Sequence, residues 1–435
     1  MQAQGKVNYM VSLSDSGKKP LKTRNRGYVW IVVMVVLASL ATVGVVSAAS
    51  IAITGPTTIS VPGNYYLAND IVNSDVPIGI SITAPNVVLD GKGKKIDGID
   101  SSGTMGIRIY NAGMTLFNVI IKNVIITDWG TGIRTSDVKN SQIDSVTIKS
   151  GVNNGISLWG SARNTVKNCI VDQNGWSGIY LWATSNSNTL TGNTVTGNGV
   201  NGIAIQSSNN NEILNNKVQN NLGAGIYLYE TSNFNTITGN TITGSTGDGI
   251  NIKTSNDNFA YKNTLKNNGG GISVHVDANN NEISQNTVTN ATLNGVYVGD
   301  NSNNNVFIGN TLEKNGVGIK IYNNNRNTVI NNLVKDNVNQ GIWLRDSGTN
   351  VIVNNYFYNN QNSYLASGLA SNTWNLTRSD QKSITGGANS GGNSWGQPNG
   401  LGFSQVTPAT NGICNQPYTL ATNNVDKLPL KWAKK

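Results

Sequence analysis

A short apolar motif, Gly-(Ile/Val)-x-(Ile/Leu/Val), recurs along most of the chain, and asparagine, serine and threonine fill the space between its copies. Two copies stand within residues 193–230, as GIAI and GIYL. Successive motif glycines are 22 to 27 residues apart. Such a regular spacing is typical of repeat architectures, in which each copy builds one structural unit. The motif glycines are Gly79, Gly106, Gly132 (the loosest match), Gly155, Gly178, Gly202, Gly225, Gly249, Gly271, Gly295, Gly318 and Gly341.

A second set of polar positions keeps the same period, and a short β-type segment such as NTVTGN follows each member. Asparagine tolerates left-handed backbone angles, and its amide group can bond to neighbouring backbone groups. We therefore expect these residues at tight inward turns, bonded to adjacent repeats, with a structural role. They are Asn123, Asp144, Asn168, Asn193, Asn216, Asn240, Asn263, Asn286, Asn310, Asn332 and Asn355.

The segments between these positions resemble very short strands rather than helices. Strands of three to five residues cannot pair within one period, but each can pair with its counterpart in the next, which makes parallel sheets. The pattern therefore predicts an all-β fold, a parallel β-helix solenoid of about twelve coils. Leucine-rich repeats have a similar period, but they need a helical return, and here the returns are β-branched and rich in asparagine.

Alternation along each Gly-Ile-x-Leu strand predicts which side chains point into the solenoid. Successive side chains of a strand point to opposite faces, so the residue after each motif glycine should lie inside. The predicted interior ladder is Ile107, Ile156, Ile179, Ile203, Ile226, Ile250, Ile272, Ile319 and Ile342.

The N-terminal part of the chain differs in composition from the repeats. Residues 27–49 are apolar or small and uncharged, long enough to cross a bilayer as a helix. Basic residues dominate segment 1–26, so the positive-inside rule places it in the cytoplasm and the rest outside. Residues 27–49 are then a signal anchor or a cleaved signal peptide; the length of the apolar run favours the anchor.

Beyond this segment, the sequence divides into three parts. Residues 50–105 are predicted to form an N-terminal cap and first coil, and residues 106–360 the repeats. Residues 361–435 lose the period and are rich in glycine and asparagine. Because the open ends of a solenoid need covering, we expect them to form an irregular C-terminal cap.

Charge and cysteine content narrow the possible partners. The formal net charge is +9, but much of it lies in residues 1–26, and about +4 remains outside. Nucleic acid is therefore not a predicted partner. Cys169 and Cys414 lie far apart in sequence, and both a fortuitous disulfide and two buried thiols remain open.

The repeats at residues 79–360 resemble the right-handed parallel β-helix (PbH1) repeats of NosD-like and carbohydrate-binding/sugar-hydrolase (CASH) proteins, which pectate lyases share distantly. The flanking segments GNYYLANDI, NVVLDGKGKKIDG and GGNSWGQPNGLGFSQ are similar to those of archaeal surface proteins. The resemblance implies a right-handed, pectin-lyase-like solenoid and an extracellular or cell-surface location. NosD itself implies copper, but His275, two cysteines, Met105 and Met114 are few soft ligands, and we do not expect copper here.

Pectate lyases bind calcium through clustered carboxylates and use a basic residue to abstract a proton, which the resemblance allows here. Asp277 and Asp300 are predicted to lie one coil apart on loops, and Arg345 two coils further on. These three residues are the candidate catalytic residues, with calcium as the possible cofactor. Solvated aspartates in asparagine-rich turns are also ordinary turn residues.

The outward positions of the Gly-Ile strands combine aromatic rings with cations. Flat rings suit stacking against sugar faces, and cations suit carboxylates or sulfates of an acidic glycan. Aromatic residues also favour exposed strand positions without any ligand. The candidate carbohydrate-binding residues are Tyr110, Trp159, Tyr180, Trp182, Tyr227, Tyr229, Tyr297, Tyr322 and Trp343.

Three functions remain open from the sequence. The first is an exported or membrane-anchored β-helix that binds a polysaccharide or serves as an envelope or adhesive element, and it needs no catalysis. The second is a calcium-dependent lyase or epimerase acting on an acidic glycan. The third is a structural spacer, which would be favoured if the outward aromatic residues packed on one another. The sequence leaves the natural ligand and the oligomeric state open.

Overall fold

Each repeat of the chain folds into three short strands that stack on the strands of neighbouring repeats. The structure is a computed structural model and describes residues 50–366 and 369–435. Its three long sheets have 14, 14 and 13 strands, which we call sheets A, B and C, and all their strand pairs are parallel. The prediction of an all-β parallel solenoid is therefore confirmed.

The strands of each long sheet recur once per coil. Sheet A consists of Ile51–Ile53, Gly63–Leu67, Val87–Asp90, Ile120–Lys122, Gln142–Asp144, Thr165–Lys167, Thr189–Thr191, Glu212–Leu214, Thr236–Thr238, Phe259–Tyr261, Glu282–Ser284, Val306–Ile308, Thr328–Ile330 and Val351–Val353. Sheet B consists of Thr57–Ile59, Ile78–Ile82, Met105–Ile109, Thr131–Ser136, Ile156–Trp159, Ile179–Trp182, Ile203–Gln206, Ile226–Tyr229, Asp248–Lys253, Gly270–His275, Asn294–Gly299, Val317–Tyr322, Ile342–Arg345 and Ser363–Leu365. Sheet C consists of Lys95–Asp97, Ile125–Thr127, Thr147–Lys149, Ile170–Asp172, Thr194–Thr196, Lys217–Gln219, Thr241–Thr243, Thr264–Lys266, Thr287–Thr289, Thr311–Glu313, Leu333–Lys335, Tyr356–Tyr358 and Ser394–Gly396.

The remaining elements are short and lie beside or after the coils. Leu116–Phe117 and Val138–Lys139 form a small parallel pair. The C-terminal region holds a helix, Phe403–Val406, and two antiparallel pairs. These pairs are Ala409–Thr410 with Ile413–Cys414, and Tyr418–Ala421 with Asn424–Asp426.

The solenoid has about 13 turns, so the expected twelve is an undercount. The count from sequence began at Gly79, the first recognisable motif glycine. Sheets A and B begin earlier, at Ile51 and Thr57, because these strands pair with the next coil without the Gly-Ile motif. Residues counted as a cap thus already continue the three-sheet coil.

The predicted transmembrane segment, residues 27–49, lies outside the described residues, as does the basic segment 1–26. Within residues 50–366 and 369–435, no helix is long and apolar enough to cross a membrane.

The interior isoleucines predicted from alternation are buried, each at most 1% exposed. Consecutive members face one another across the ladder; Ile226 pairs with Ile250, and Ile250 with Ile272. Apolar positions of sheets A and C complete the core, so the hydrophobic interior is continuous along the axis. Stacking of coils is what removes these side chains from water.

We expect Ile179→Ala to lower the free energy of unfolding by about 2 to 5 kcal/mol, because it leaves a cavity among fully buried side chains. Ile170→Ala is the matched control, since Ile170 is 44% exposed on the outer side of sheet C. Chemical denaturation followed by circular dichroism measures both. Equal losses in the two variants would contradict the assigned interior.

Buried asparagines form hydrogen-bonded ladders along the axis. In the ladder that contains Asn240, its Oδ1 accepts the backbone N–H of Asn216 at 2.8 Å, and its own N–H donates to Oδ1 of Asn263 at 2.9 Å. The ladder runs through Asn193, Asn216, Asn240, Asn263, Asn286, Asn310, Asn332, Asn355 and Asn393. A second ladder runs through Asn164, Asn188, Asn211, Asn235, Asn258, Asn281, Asn305, Asn327, Asn350, Asn372 and Asn424.

The left-handed backbone position is not held by the buried asparagines themselves. It belongs to the residue before most of them, such as Asn215 with φ 54° before Asn216, or Gly239 with φ 68° before Asn240. The turn therefore divides two tasks between neighbours: one residue takes the left-handed angle and the next supplies the inward amide.

The first three residues predicted for this column, Asn123, Asp144 and Asn168, do not occupy the ladder position. Asn123 and Asn168 take the left-handed position, with φ 53° and 54°, and Asp144 ends a sheet A strand with its carboxylate 3.4 Å from Lys167 Nζ. Cys169 occupies the interior position instead, and its backbone N–H donates to Asn193 Oδ1. Valine and cysteine occupy the early positions of this ladder. In the first coils, asparagine residues therefore do not identify the ladder position.

The C-terminal hairpin ends both ladders. Asn424 accepts the N–H of Asn372 at 3.1 Å, and Asp426 accepts the N–H of Asn393 at 2.8 Å. The indole Nε1 of Trp395 donates to Asp426 as well, at 2.9 Å. The region that loses the repeat period thus supplies the acceptors that a next coil would otherwise provide.

Cys169 and Cys414 are both buried and free. The sequence left a disulfide and two buried thiols open, and the structure has two buried thiols. Burial raises the pKa of the Cys169 thiol to about 12.

Candidate functional site

The outward side of sheet B carries the predicted aromatic and basic residues, and we call it the aromatic face. Its side chains form two columns because the strands are paired in register. The first column is Ser81, Arg108, Arg134, Ser157, Tyr180, Ala204, Tyr227, Asn251, Ser273, Tyr297, Lys320, Trp343 and Tyr364. The second column contains Trp159, Trp182, Gln206, Tyr229, Lys253, His275, Tyr322 and Arg345.

Aromatic rings near the N-terminal half of this face stack on one another. Trp159 and Trp182 have ring centroids 5.3 Å apart, and Tyr180 stacks on Trp182 at 5.9 Å. Tyr227 and Tyr229 form another stacked pair at 4.5 Å. This mutual packing is what the spacer alternative predicted, yet Trp159 remains 42% exposed, which leaves ring surface available to a ligand.

The C-terminal half combines rings with a cation. Lys320 Nζ lies 4.9 Å from the ring centroid of Trp343 and 5.8 Å from that of Tyr297. Trp343 also stacks on Tyr364 at 5.8 Å. The guanidinium of Arg345 lies 6.0 Å from the Tyr322 ring. Aromatic and basic groups therefore lie side by side at this end.

Tyrosine hydroxyls in the middle of the face share one amide group. The hydroxyls of Tyr180 and Tyr229 both donate to Gln206 Oε1, the latter at 3.0 Å, and Gln206 Nε2 donates to Glu230. Burial raises the pKa values of both tyrosines. These side chains are thus held in fixed positions, which lowers the entropy cost of presenting them to a ligand.

A polar cluster next to this network was not predicted from the sequence. His275 Nε2 lies 3.0 Å from Asn251 Oδ1, and Asn251 Nδ2 donates to Asp248 Oδ2 at 2.7 Å. Burial raises the pKa of Asp248 and lowers that of His275, although the charge of Asp300 opposes the latter shift. Asp248 and Asn251 could have been found by aligning the repeats, since both stand where most repeats have other residues.

The structure brings two of the three candidate catalytic residues together. The backbone N–H of Asp277 donates to the carbonyl oxygen of Asp300 at 2.9 Å, so the aspartates occupy neighbouring coils. Arg345 lies two coils beyond Asp300, opposite Tyr322, and its Nε is 3.2 Å from a carboxylate oxygen of Asp346. Arg345 is therefore not in contact with the two aspartates.

Trp176 is a further exposed aromatic residue that the column analysis missed. It is 57% exposed and lies in the turn before the strand Ile179–Trp182. Apolar residues at equivalent turns, Val152, Val200 and Leu222, are exposed as well. Each of them stands beside a turn glycine, a signal that the sequence contains but that strand alternation does not cover.

The repeats match two protein families. Residues 105–265 match the family described as right handed beta helix region, and residues 245–400 match NosD, described as periplasmic copper-binding protein. The chain is a NosD-like right-handed β-helix protein. The comparison with curated proteins found no match.

Several solved structures are similar to part of this NosD-like chain at low identity. The mannuronan C-5 epimerase AlgE4 A-module of Azotobacter vinelandii is 16% identical, covering 60% of this chain and 75% of its own, with a TM-score of 0.45. The periplasmic alginate epimerase AlgG is 15% identical, covering 69% and 78%, with a TM-score of 0.48. The catalytic domain of a GH87 alpha-1,3-glucanase is 17% identical, covering 75% and 63%, with a TM-score of 0.49. These likenesses concern the fold alone.

The donor residues of this NosD-like chain do not fit a copper site. His275 lies on the aromatic face, while Cys169 is inside the solenoid and Cys414 in the C-terminal region. Among residues 50–366 and 369–435, no three His, Cys, Asp or Glu side chains form a group that could hold a metal ion. A copper site would need at least several such donors in one place.

Proposed function

We propose that the protein binds an extended polysaccharide along the aromatic face, outside the cytoplasm. The observation that carries the proposal is the difference between the three outer sides of the solenoid. On sheets A and C, lysines pair with aspartates of neighbouring coils, as in Lys122–Asp90 at 3.5 Å and Lys149–Asp172 at 3.9 Å. Sheet A has two cations beside aromatic rings, Lys92 at Tyr66 and Lys262 at Tyr261, whereas on sheet B such contacts recur along the face, as at Arg134, Lys320 and Arg345.

A spacer has no need of this asymmetry. Stacked coils bury the same core whatever lies outside, so ion pairs would serve all three sides equally well. Concentrating tryptophan, tyrosine and basic side chains on one side creates a long strip of ring surface with positive groups. Sugar rings stack on such aromatic surfaces, and a parallel sheet offers them a repeat of about 4.8 Å per coil.

The extracytoplasmic location is supported by the family description, which names a periplasmic protein. It agrees with the basic segment and apolar run at residues 1–49. An envelope or adhesive role follows if the bound glycan belongs to the cell surface.

We expect Trp182→Ala and Tyr229→Ala each to weaken polysaccharide binding by about tenfold, because each removes ring surface from the middle of the strip. The full chain is titrated with polyuronate, sulfated dextran and neutral dextran, and affinity is measured by calorimetry. Tyr261→Ala is the matched control, since Tyr261 stacks on Phe259 at 5.3 Å on sheet A.

Two outcomes would count against the proposed face. Unchanged affinity in Trp182→Ala and Tyr229→Ala, with binding by the native chain intact, would place the ligand elsewhere. Absence of binding to every polymer would instead favour the spacer. Circular dichroism of each variant confirms that the solenoid is folded.

A second candidate function is a calcium-dependent lyase or epimerase acting on an acidic glycan. The backbone hydrogen bond from Asp277 to Asp300 favours it, because it places the two aspartates on adjacent coils, where a bound calcium ion would need further oxygen ligands from the substrate. Arg345 would have to leave Asp346 to reach a substrate near them. The same titration mixtures, with calcium added, report this activity as shortened polymer or altered uronate stereochemistry.

A further inference from the structure

Two arginines occupy successive coils at the N-terminal end of the aromatic face. Arg108 and Arg134 are directly paired across neighbouring strands of sheet B, and both are half-buried. Strand spacing separates their backbones by about 4.8 Å. Like charges directly opposite one another in a sheet destabilise it, so this pair is costly in the free chain.

Neighbouring groups do little to offset that cost. Arg108 Nη2 donates to Ser81 Oγ at 3.3 Å, whereas its Nε is buried without a hydrogen-bond partner. Within residues 50–366 and 369–435, neither arginine forms a salt bridge, although seven other side-chain pairs do. The arginine pair therefore retains unused donors and uncompensated charge.

Aromatic rings lie beside both guanidinium groups. The Arg108 guanidinium carbon is 5.9 Å from the Tyr110 ring centroid, and that of Arg134 is 5.3 Å from the Trp159 ring centroid. Trp159 in turn stacks on Trp182, so the pair adjoins the ring strip without a break. A sugar residue on Trp159 would place its substituents near Arg134.

We propose that Arg108 and Arg134 form an anion subsite that binds a carboxylate or sulfate group of the polysaccharide. The proposal rests on the proposed function and specifies its substrate class as an acidic glycan. Guanidinium groups bind such oxyanions through two parallel N–H donors, which gives charge and geometry together. A bound oxyanion removes the repulsion between the two arginines and partners their free donors.

The test uses the full chain with Arg108→Gln, Arg134→Gln and the double variant. We expect each single variant to bind acidic polymer about tenfold more weakly and the double variant about 100-fold more weakly, with binding of neutral dextran unchanged. Lys266→Gln removes the same charge from an exposed position on sheet C and should leave all affinities unchanged. Comparing polyuronate with sulfated dextran identifies the preferred oxyanion.

Folding is checked independently of the ligand. Because the arginines repel one another, the double variant should unfold at the same or a higher denaturant concentration than the native chain. Arg134→Lys keeps the charge but loses the paired donors, and we expect its affinity for acidic polymer to lie between those of the native chain and Arg134→Gln.

The outcomes separate this subsite from the proposed function. If the double variant binds acidic polymer normally while Trp182→Ala does not, the subsite is wrong and the binding face stands. An equal loss of affinity for acidic and neutral polymers would also overturn the subsite, because its role is to bind the charged groups of an acidic polymer. Absence of binding by the native chain would reject the proposed function and the subsite together.

Discussion

Asn240→Ala is expected to lower the free energy of unfolding by about 3 to 5 kcal/mol, although it removes only one small side chain. Asn240 is 1% exposed, and its Oδ1 accepts two hydrogen bonds from Asn216. Its Nδ2 donates to the carbonyl oxygen of Ile213 at 2.8 Å and to Asn263 Oδ1 at 3.0 Å. Alanine would leave these buried donors and acceptors without partners or water.

Chemical denaturation of Asn240→Ala and Thr241→Ala measures the effect. Thr241 is the next residue and is exposed on the outer side of sheet C, so its loss should change stability by less than about 0.5 kcal/mol. A similarly small loss for Asn240→Ala would show that water or a local rearrangement replaces the ladder bonds, and would contradict the structural role of the ladder.

Asp426 is expected to contribute a loss of stability as the pH rises from about 4 to about 8. Burial raises the pKa of its carboxyl from 3.8 to about 7, although hydrogen bonds from Asn393, Trp395 and Leu428 favour the charged form. Because the folded-state pKa exceeds the unfolded one, this carboxyl contributes its full stability below pH 3.8 and loses it as pH rises through about 7. A difference of three pKa units corresponds to about 4 kcal/mol.

Denaturation midpoints of the native chain and Asp426→Asn at pH values from 4 to 8 measure this contribution. We expect the native chain to lose stability relative to Asp426→Asn as the pH rises. Asp380→Asn is the control, because Asp380 is exposed in the same region. Parallel pH profiles for the native chain and Asp426→Asn would show that Asp426 stays ionised throughout.

Repetition made the fold predictable from the sequence. The motif glycines recur often enough to identify the coil, and alternation around them placed Ile179 and Ile250 inside correctly. Residues 50–105 were assigned to a cap and first coil, but Ile51–Ile53 and Thr57–Ile59 could not be recognised as strands of the long sheets because they do not carry the motif. Such strands form because they pair with the next coil, and their own sequence carries no signal that identifies them.

The candidate site was predictable only in part. Strand alternation placed Trp159 and Trp182 in one column, and register then brought them into contact. The hydrogen bond between His275 and Asn251 depends on side-chain rotamers, which the sequence of the repeats does not specify. Spacing by coils placed Arg345 two coils beyond Asp300 correctly, whereas its pairing with Asp346 follows from local geometry.

The asparagine ladders make the coils interchangeable modules. From Asn193 onward, each coil offers the same amide acceptor to the coil before it and the same donors to the coil after it, as Asn240 does between Asn216 and Asn263. One coil can therefore be gained or lost by duplication or deletion without any new kind of contact, while the C-terminal hairpin still ends the ladders. The length of the aromatic face is then a property that evolution can adjust in steps of about 4.8 Å, independently of how the protein folds.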